Sequence, residues 1–456
     1  MPPDPETIYF FHAYLITLSK PKEAVSIFWF RRDLRLHDNH GLWAALQSGR
    51  PVLPIFIFDT EILNALGDKM DRRVVFIHRA LQRIQSRLLE HGSSLLVLHD
   101  TPGAALQKLV EDFKVAEVFT NRDYEPYAKD RDARINSILQ EKGISFHTCK
   151  DQVIFEQSEV AKKDGNPYTV FTPYSRVWKQ QYEAARPLRY ASEQELSKML
   201  QVSPFSFPTL QEIGFEEIDA PGPDITLNED VIRSYHETRN LPGLQGTSGV
   251  SVHLRFGTVS VREMAAIAHR LNPVWLNELI WREFFMSILY HFPHTVSSSF
   301  KPKYDAIQWR NSEEEFRRWC RGETGYAIVD AGMRQLNETG WMHNRVRLVV
   351  ASFMIKHLLI DWRWGEAYFA EKLNDYELAS NVGNWQWAAG SGCDAAPYFR
   401  VFNPAEQTRK FDPELRYIRK WIPGYKPGYL QPMVVHEEAR KRALDVYKRS
   451  LAGSTK

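Results

Sequence analysis

Three segments in the C-terminal half combine aromatic rings with charged and amide side chains. In the first, WLNELIWREFF at 275–285, helical spacing places Glu278, Trp281, Arg282 and Phe285 on one face. That face would offer a hydrogen-bond acceptor, two flat rings and a fixed cation. The rim of a core helix with an extended arginine would give the same pattern. Spacing alone leaves a functional face and rim packing equally open.

The other two segments are rich in the same residue types. TGWMHNRVRL at 339–348 brings Trp, His, Asn and two Arg together, although a solvated helix start would look alike. In 375–399, Trp385 and Trp387 flank Gln386 among Gly and Ala residues. Small residues permit close approach to the backbone, either by a cofactor or nucleotide or by a second helix.

Two further stretches could contact phosphate. GTSGVS at 246–251 offers backbone N–H groups and hydroxyls, although Gly/Ser loops are common. Near the C-terminus basic residues alternate with aromatic rings, which suits phosphate contact, although a charged helix face is the more frequent cause. This stretch contains Arg409, Lys410, Phe411, Arg416, Tyr417, Arg419, Lys420 and Trp421.

Composition excludes several classes of protein. The chain has 456 residues, of which 43% are hydrophobic and 25% charged, as in a globular protein of two domains. The net charge of +2 means that any nucleic-acid surface is a local patch. Cys149, Cys320 and Cys393 show no metal spacing, so we expect no metal site and a reducing compartment. No apolar run is long enough to predict a membrane span.

The N-terminal part alternates apolar strand-like runs with helical stretches at 71–90 and 128–140. This pattern predicts an α/β domain at 24–155 with a doubly wound parallel sheet covered on both faces. Ligands of such sheets bind beyond the carboxyl ends of the strands, which points to the turns 31–39 and 121–127. The predicted strands are Val25–Phe30, Val52–Phe58, Ser94–His99, Ala116–Thr120 and Ile144–His147.

The rest of the chain lacks strand patterns. We interpret 1–23 as an extension outside the fold and 156–227, which has scattered Pro, Ser and Lys, as a long interdomain connector. From 228 to 456, helical spacing predicts an all-α domain, with clear periods at 275–289, 327–336 and 345–359.

Several long segments resemble the signature blocks of the photolyase/cryptochrome family, and most of all those of class I cyclobutane pyrimidine dimer photolyases. They are WFRRDLRLHDN, NELIWREFF, TGYAIVDAGMRQLNETGWMHNR and NWQWAAGSGCDAAPYFRVFNP. The similarity runs from about Val25 to about Tyr447, and long blocks in the right order are more specific than one short motif. The resemblance implies an α/β domain, a connector and a helical domain that binds flavin adenine dinucleotide (FAD).

The resemblance also implies which residues hold FAD. Tyr235 and the 247–251 loop would hold phosphates and ribose, and Asn381 would face flavin N5, where an uncharged amide suits a reduced flavin. Residues 375–377 would contact the isoalloxazine edge. The implied cofactor-binding set is Tyr235, Thr247, Ser248, Gly249, Val250, Ser251, Trp275, Arg282, Asp375, Tyr376, Glu377 and Asn381.

By the same resemblance, DNA with a pyrimidine dimer is the partner, and the dimer is flipped out of the duplex. Trp281 and Trp387 would flank it, while Glu278 and Asn344 would hydrogen-bond its pyrimidine edges. Excited reduced FAD would donate an electron, the ring would split, and the electron would return. The implied catalytic set is Glu278, Trp281, Asn344, Asn381 and Trp387, and the DNA-binding set is Arg239, Glu278, Trp281, Arg282, Phe285, Asn344, Arg345 and Trp387.

Three further tryptophans, Trp385, Trp362 and Trp309, align with an electron-hopping chain in that family, although each alone would be read as core packing. The resemblance further implies a monomer, in the cytoplasm of a bacterial-type cell. A second, antenna chromophore in the α/β domain would be a folate, a deazaflavin or a flavin, and the sequence does not choose among them.

Some positions depart from the class I pattern. Leu348 replaces Met, Tyr376 replaces Gly, Glu377 replaces Asp, and Asn384 replaces Gly as in DASH-type cryptochromes. The (6-4) branch has His at positions matching Asn344 and Leu348, so a cyclobutane dimer is the better substrate. Trp387 argues against the DASH branch, which usually has Tyr there. The alternatives are a blue-light photoreceptor, a DASH-type single-strand photolyase and a plain flavoprotein electron carrier.

Overall fold

The first of two units contains a parallel sheet of five strands. In this computed structural model, which describes residues 23–453, the strands follow the order β3-β2-β1-β4-β5. The strands are β1 (Val25–Phe30), β2 (Val52–Asp59), β3 (Leu96–Asp100), β4 (Val115–Asn121) and β5 (Ser145–Cys149). All neighbouring pairs are parallel, with Ile27 opposite Leu53 of β2 and Val118 of β4. The predicted doubly wound α/β fold is confirmed.

Helices connect these strands. They form where apolar residues recur along one side of the helix. In Arg72–Leu89, for example, Val74, Leu81, Ile84 and Leu88 are buried. Asp71 caps the start of this helix by accepting a hydrogen bond from the backbone N–H of Arg73 at 2.8 Å. The helices of this part are His40–Leu46, Thr60–Leu63, Arg72–Leu89, Pro102–Asp112 and Pro126–Glu141.

The turns after β1 and β4 hold a buried polar network. The Asn121 amide donates to Asp33 at 2.5 Å and to Asn39 at 2.7 Å. Nearby, Arg35 and Arg262 both contact Asp151, at 2.7 and 2.8 Å. Burial alone would raise the pKa of Asp151, but the two guanidinium groups hold that pKa below its usual value.

The contacts of the chain divide it differently from the predicted boundaries. The first unit contains 23–154, 187–225 and 256–264, and the second contains 155–186, 226–255 and the residues from 265 onward. The segment 156–227, which we expected to be a connector, is therefore shared between the units. The predicted extension at 1–23 lies outside the described residues except for Glu23.

Each part of that segment is packed, which explains why it is not a free linker. Met199 bridges to Val52, and the backbone N–H of Leu200 donates to the Val52 carbonyl at 2.8 Å. In the other part, helix Phe171–Ala184 buries Trp178, whose Nε1 donates to Glu283 at 2.6 Å. Residues 187–225 are largely irregular, with short 3-10 turns at Ser192–Gln194 and Leu196–Lys198, so their sequence shows no helical period.

The second unit is helical, as predicted. Helix Pro273–His291 starts at Asn272, whose side chain accepts from the backbone N–H of Val274 at 2.9 Å, and Pro273 suits the first turn. The other helices of its C-terminal part are Glu313–Arg321, Ala327–Thr339, Asn344–Ser352, Trp362–Lys372, Leu378–Ala389, Pro404–Phe411, Arg416–Trp421 and His436–Gly453. Shorter helices at Glu229–Arg233, Tyr235–Thr238 and Ser251–Phe256 precede them, and the helix Val261–Leu271 contains residues of both units.

Glycines let these helices cross closely. A Cβ at Gly383 would collide with the Phe285 ring, and one at Gly365 would collide with the Trp385 ring. At these positions the small residues serve helix packing, which was one of the two readings of the Gly- and Ala-rich segment. The predicted helix 345–359 differs in detail, because Phe353–His357 forms a π-helical turn after Asn344–Ser352.

Candidate functional site

A cavity of about 460 Å³ in the second unit collects most of the predicted site residues. Its volume lies within the range of small-molecule and cofactor sites. It lies among helix Pro273–His291, the 247–251 loop and the starts of helices Asn344–Ser352 and Leu378–Ala389. The predicted residues that line it are Tyr235, Arg239, Thr247, Ser248, Gly249, Val250, Ser251, Trp275, Glu278, Trp281, Arg282, Phe285, Asn344, Asp375, Glu377 and Trp387.

A second cavity, of about 90 Å³, shares Asn344, Asp375 and Glu377 with the first. Asn381 and Trp385 line this smaller cavity. Tyr376, Arg345, Trp309 and Trp362 line neither cavity, so any role they have at the site is indirect or concerns another surface.

The 247–251 loop forms a polar cradle on one wall of the larger cavity. Gly249 has a φ of +67°, and no heavy atom lies within 4 Å of the place where a Cβ would stand. Thr247, Ser248 and Ser251, which carry hydroxyls, line the same cavity, and Trp275 Nε1 donates to the Ser248 hydroxyl at 3.3 Å. Hydroxyls beside an unobstructed glycine fit the phosphates of a dinucleotide such as FAD.

Paired charges also line the cavity and form its charged wall. Glu377 accepts from Arg255 at 3.2 Å and from Arg282 at 3.5 Å. Arg347 donates to the Asp375 carboxylate at 2.9 Å. These pairs hold the carboxylates in fixed positions beside the cavity. The sequence reasoning missed Arg255 and Arg347 as lining residues, although Arg347 lies inside the NRVRL block.

Glu278 lies at the cavity wall and pairs with Arg239 across 2.7 Å. The Arg239 guanidinium also lies over the Tyr235 ring, 5.5 Å from its centroid. Burial raises the pKa of Glu278, and Arg239 opposes that shift. The carboxyl group therefore takes up a proton at a higher pH than an ordinary glutamate does.

Asn381 is oriented by a residue that the sequence reasoning did not find. Its amide nitrogen donates to the Glu366 carboxylate at 2.9 Å and to the Glu366 backbone carbonyl at 3.0 Å. The hydroxyl of Tyr376 reaches the same carboxylate at 3.5 Å. Burial raises the pKa of Glu366, while the two hydrogen bonds oppose the shift. Glu366 therefore holds the Asn381 amide in one orientation at the smaller cavity.

Trp281 is held in place on one side. The ring of Phe171 stacks on it with centroids 3.7 Å apart and 5° between the planes. Phe285, at 5.4 Å, packs against Trp281 at an angle of 30°. Trp281, Phe285 and Trp387 all line the larger cavity, so it presents a set of fixed aromatic rings.

Arg345 lies beside the site rather than in it. Its guanidinium donates to the Asn240 side chain at 2.7 Å and lies over the Phe411 ring, 4.4 Å from its centroid. Burial lowers the pKa of Arg345, and Arg239 adds to that effect, which indicates that the two cations are neighbours.

The three tryptophans predicted for electron transfer all belong to one packed region. Trp385 and Trp362 are buried in the main core of the helical unit, and Trp309 is a half-buried neighbour of that core. Trp385 and Trp362 are equally buried, Trp385 also lines the smaller cavity, and Trp309 is the more exposed member of the three.

The described part of the chain, 23–453, contains no group of three His, Cys, Asp or Glu side chains that could hold a metal ion. Within the same residues, no helix is both long and apolar enough to cross a bilayer.

Comparisons with known proteins agree with this site. The profile described as the FAD binding domain of DNA photolyase matches residues 275–427, and the profile described as DNA photolyase matches residues 26–192. A deoxyribodipyrimidine photo-lyase of Synechococcus is 36% identical, with 92% of this chain and 96% of the relative covered.

Two solved structures are also similar. A bacterial class III photolyase from Agrobacterium tumefaciens matches with a TM-score of 0.82 and 33% identity, covering 95% of this chain and 99% of that one. An archaeal photolyase from Sulfolobus tokodaii with two FAD molecules matches with a TM-score of 0.78 and 33% identity, covering 93% and 99%.

The fold and the cavity define a two-unit protein whose helical unit is built for a dinucleotide cofactor. The chain belongs to the DNA photolyase family, and its helical unit is an FAD-binding domain. The residues present fit FAD, because the cradle at 247–251 and the charged wall lie in one cavity.

Proposed function

We propose that this chain is a deoxyribodipyrimidine photo-lyase that uses light and FAD to split cyclobutane pyrimidine dimers in DNA. The observation that carries the proposal is a single cavity that contains both the phosphate cradle at 247–251 and the aromatic pair Trp281 and Trp387. The name of the relative from Synechococcus, a deoxyribodipyrimidine photo-lyase, supports the same activity.

FAD would be held by the cradle residues Thr247, Ser248 and Ser251 and by the charged wall around Glu377. Bound and reduced, the flavin supplies an electron to the dimer under light and recovers it after the ring opens. The protein contributes position and electrostatics. Glu366 fixes the amide of Asn381, so that this side chain would be presented to a bound flavin in one orientation.

The lesion would enter the same cavity as a flipped-out dinucleotide. A dimer stacked inside the duplex cannot reach a buried cofactor, so it must leave the stack. Trp281 and Trp387 offer flat faces for it, and stacking on such rings is worth about 1–3 kcal/mol per base. Phe285 lies next to Trp281 and closes the apolar side of the cavity.

Glu278 and Asn344 would hydrogen-bond the pyrimidine edges. Because burial raises the pKa of Glu278, its carboxyl group can be protonated and donate to a carbonyl oxygen of the dimer. A neutral donor there also avoids placing a second negative charge beside a dimer that has accepted an electron. Arg239 is the counter-ion when the carboxyl group is ionised.

DNA backbone contacts would come from Arg239 and Arg345, with Arg282 inside the cavity. Arg345 is fixed by Asn240 and Phe411, so its guanidinium is presented in one direction. Electron supply to an oxidised flavin would pass along Trp309, Trp362 and Trp385, which belong to or pack against one core.

We further propose a monomer that acts in the cytoplasm of a bacterial-type cell. The division of the chain into 24–155, 156–227 and 228–456 is a proposal from the sequence only, since the contacts of the chain divide it differently. A second chromophore in the α/β unit is also proposed, and the relative from Sulfolobus tokodaii with two FAD molecules supports a flavin as one candidate.

Binding of the lesion tests this assignment directly. We expect Trp281→Ala and Trp387→Ala to weaken binding of a duplex with one thymine dimer by at least fivefold, and to leave the flavin absorbance unchanged. Trp43→Ala, which alters a half-buried tryptophan of the first unit, is the matched control. Unchanged affinity in both cavity variants would refute this lesion site.

A further inference from the structure

A second large groove of the helical unit plays no part in the function described so far. It has a volume of about 480 Å³, similar to that of the cofactor cavity. We call it the tyrosine groove, because its lining includes Tyr326, Tyr425 and Tyr429, together with Pro404, Pro413 and Pro432.

The tyrosine rings are fixed in the wall of the groove. The Tyr326 hydroxyl donates to the Val434 carbonyl at 2.9 Å, and the Tyr429 hydroxyl donates to the Asp330 carboxylate. Tyr425 and Tyr429 meet edge to face with centroids 5.4 Å apart. Rings held in this way bind flat partners at low entropic cost, since they lose little freedom on binding.

The segment 404–430, which lines much of the groove, has an excess of exposed cations, whereas the exposed carboxylate Glu437 lies near Tyr326. Between 404 and 430 the exposed carboxylates are Glu406 and Glu414, whereas the exposed cations are Arg409, Lys410, Arg416, Arg419, Lys420 and Lys426. Asp412 does not offset them at the surface, because it is buried and accepts the backbone N–H groups of Tyr417 and Ile418, each at 3.0 Å. Aromatic rings within a basic surface are the features that bind single-stranded nucleic acid.

One helix borders both the tyrosine groove and the candidate DNA surface. Thr408 and Arg409 of helix Pro404–Phe411 line the groove. At the end of the same helix, the ring of Phe411 lies under the guanidinium of Arg345. Arg345 is a neighbour of Arg239, which lines the larger cavity. A strand that leaves the lesion site past Arg345 would therefore meet this helix next.

We propose that the tyrosine groove is a second DNA subsite, which binds a base of an unpaired stretch of the substrate strand while the surrounding cations contact its phosphates. This inference rests on the proposed function, because it assumes that damaged DNA is the substrate. It predicts a preference for dimers close to single-stranded DNA, such as overhangs or gaps.

The test compares two substrates on the FAD-bound protein. One is a blunt duplex with a single thymine dimer, and the other is the same duplex with a ten-nucleotide thymidine overhang, made in both polarities. We expect the overhang of one polarity to strengthen binding of the wild-type protein by at least fivefold, as one stacked base would. Tyr425→Ala and Arg409→Glu should lose this gain and keep the affinity for the blunt duplex.

Arg317→Glu is the matched control for Arg409→Glu. Both arginines are exposed, with 64% and 72% of the side chain accessible, and each pairs with a glutamate on its own helix. The control should keep the gain from the overhang. Lack of any gain in both polarities, or a gain that survives Tyr425→Ala and Arg409→Glu, would overturn the subsite.

Two other results distinguish this proposal from a failure of the proposed function and from a groove that binds protein segments. If the protein does not bind the blunt duplex with the dimer at all, the proposed function is wrong. The effect of the overhang on the binding of undamaged DNA then tests the subsite separately. If a proline-rich peptide protects Tyr425 from chemical modification and the overhang does not, the groove binds protein segments and the DNA subsite is refuted.

Discussion

The ring of Phe171 lies parallel to the ring of Trp281, with 3.7 Å between centroids and 5° between planes. Phe171 is itself held, because its backbone N–H donates to the Asp394 carboxylate at 3.0 Å. Its helix belongs to the segment that the sequence suggested was a connector. Phe171 is therefore a positioning residue, which supports Trp281 from one side while Trp281 faces the cavity.

Removing this support should weaken lesion binding, although Phe171 itself does not contact the lesion. We expect Phe171→Leu to weaken binding of dimer-containing DNA by about threefold to tenfold, since aromatic pairs contribute about 0.5–1.5 kcal/mol beyond burial. Binding of undamaged DNA and the flavin absorbance should not change, and Phe171→Tyr should restore the wild-type affinity. A loss that is equal for damaged and undamaged DNA would show that Phe171 acts on overall structure only.

The protonation of Glu278 should make lesion binding depend on pH. A hydrogen bond donated by the protonated carboxyl group is present at low pH and is lost as the pH rises through the raised pKa. The ratio of affinities for damaged and undamaged duplex should therefore fall with rising pH in the wild-type protein. It should stay constant in Glu278→Gln, whose amide donates at every pH, and stay low in Glu278→Ala. Parallel profiles in the wild-type and Gln proteins would contradict this role.

The tryptophan chain can be separated from repair itself. We expect Trp385→Phe to block photoreduction of the oxidised flavin by an external reductant and to spare dimer repair by protein that is reduced beforehand. Trp319→Phe is the matched control, since Trp319 is equally buried and lies 6.3 Å from Trp385 by ring centroids. Photoreduction at the wild-type rate in Trp385→Phe would rule out the chain.

Two buried histidines should make the helical unit sensitive to acid. Burial lowers the pKa of His343 to about 4 and that of His357 to about 3, with nearby cations adding to the effect. His343 Nδ1 also accepts the backbone N–H of Arg345 at 3.1 Å, which requires an unprotonated nitrogen. Since both histidines are protonated near pH 6.5 in the unfolded chain, stability is present at neutral pH and is lost as the pH falls below 6.5.

Lowering the pH from 7.5 to 5.5 should reduce the free energy of unfolding by about 1.4 kcal/mol for each histidine, and by up to about 3 kcal/mol for both. Denaturant unfolding at pH 7.5 and 5.5 measures this loss. The double variant His343→Gln and His357→Gln should lose most of the difference, whereas His91→Gln, at an exposed position, should keep it. A double variant with the wild-type dependence on pH would disprove the assignment.

The sequence predicted most of the framework. The apolar run Val25–Phe30 is a strand with the predicted bounds, because a strand buried on both faces is largely apolar. The helical face of Glu278, Trp281, Arg282 and Phe285 does line one cavity, as its spacing suggested. Contacts within one helix turn can be seen in a sequence, because spacing determines them.

Partners that are distant in the chain could not be predicted. Glu366 and Asn381 lie on different helices, and no spacing rule connects Phe171 to Trp281. The irregular segment 187–225 shows no helical or strand period, so its packing within the first unit could not be predicted. The need for glycine at Gly383 and Gly365 becomes clear only when the rings of Phe285 and Trp385 are known to lie against them.

The most direct test of the central claim is repair itself. The purified FAD-bound protein is reduced, mixed with an oligonucleotide that contains one thymine dimer, and illuminated with blue light, with a dark sample beside it. We expect intact thymines to return in the light and not in the dark. No recovery by protein with bound, reduced flavin would contradict the proposed photo-lyase activity and would favour a photoreceptor or the (6-4) lesion.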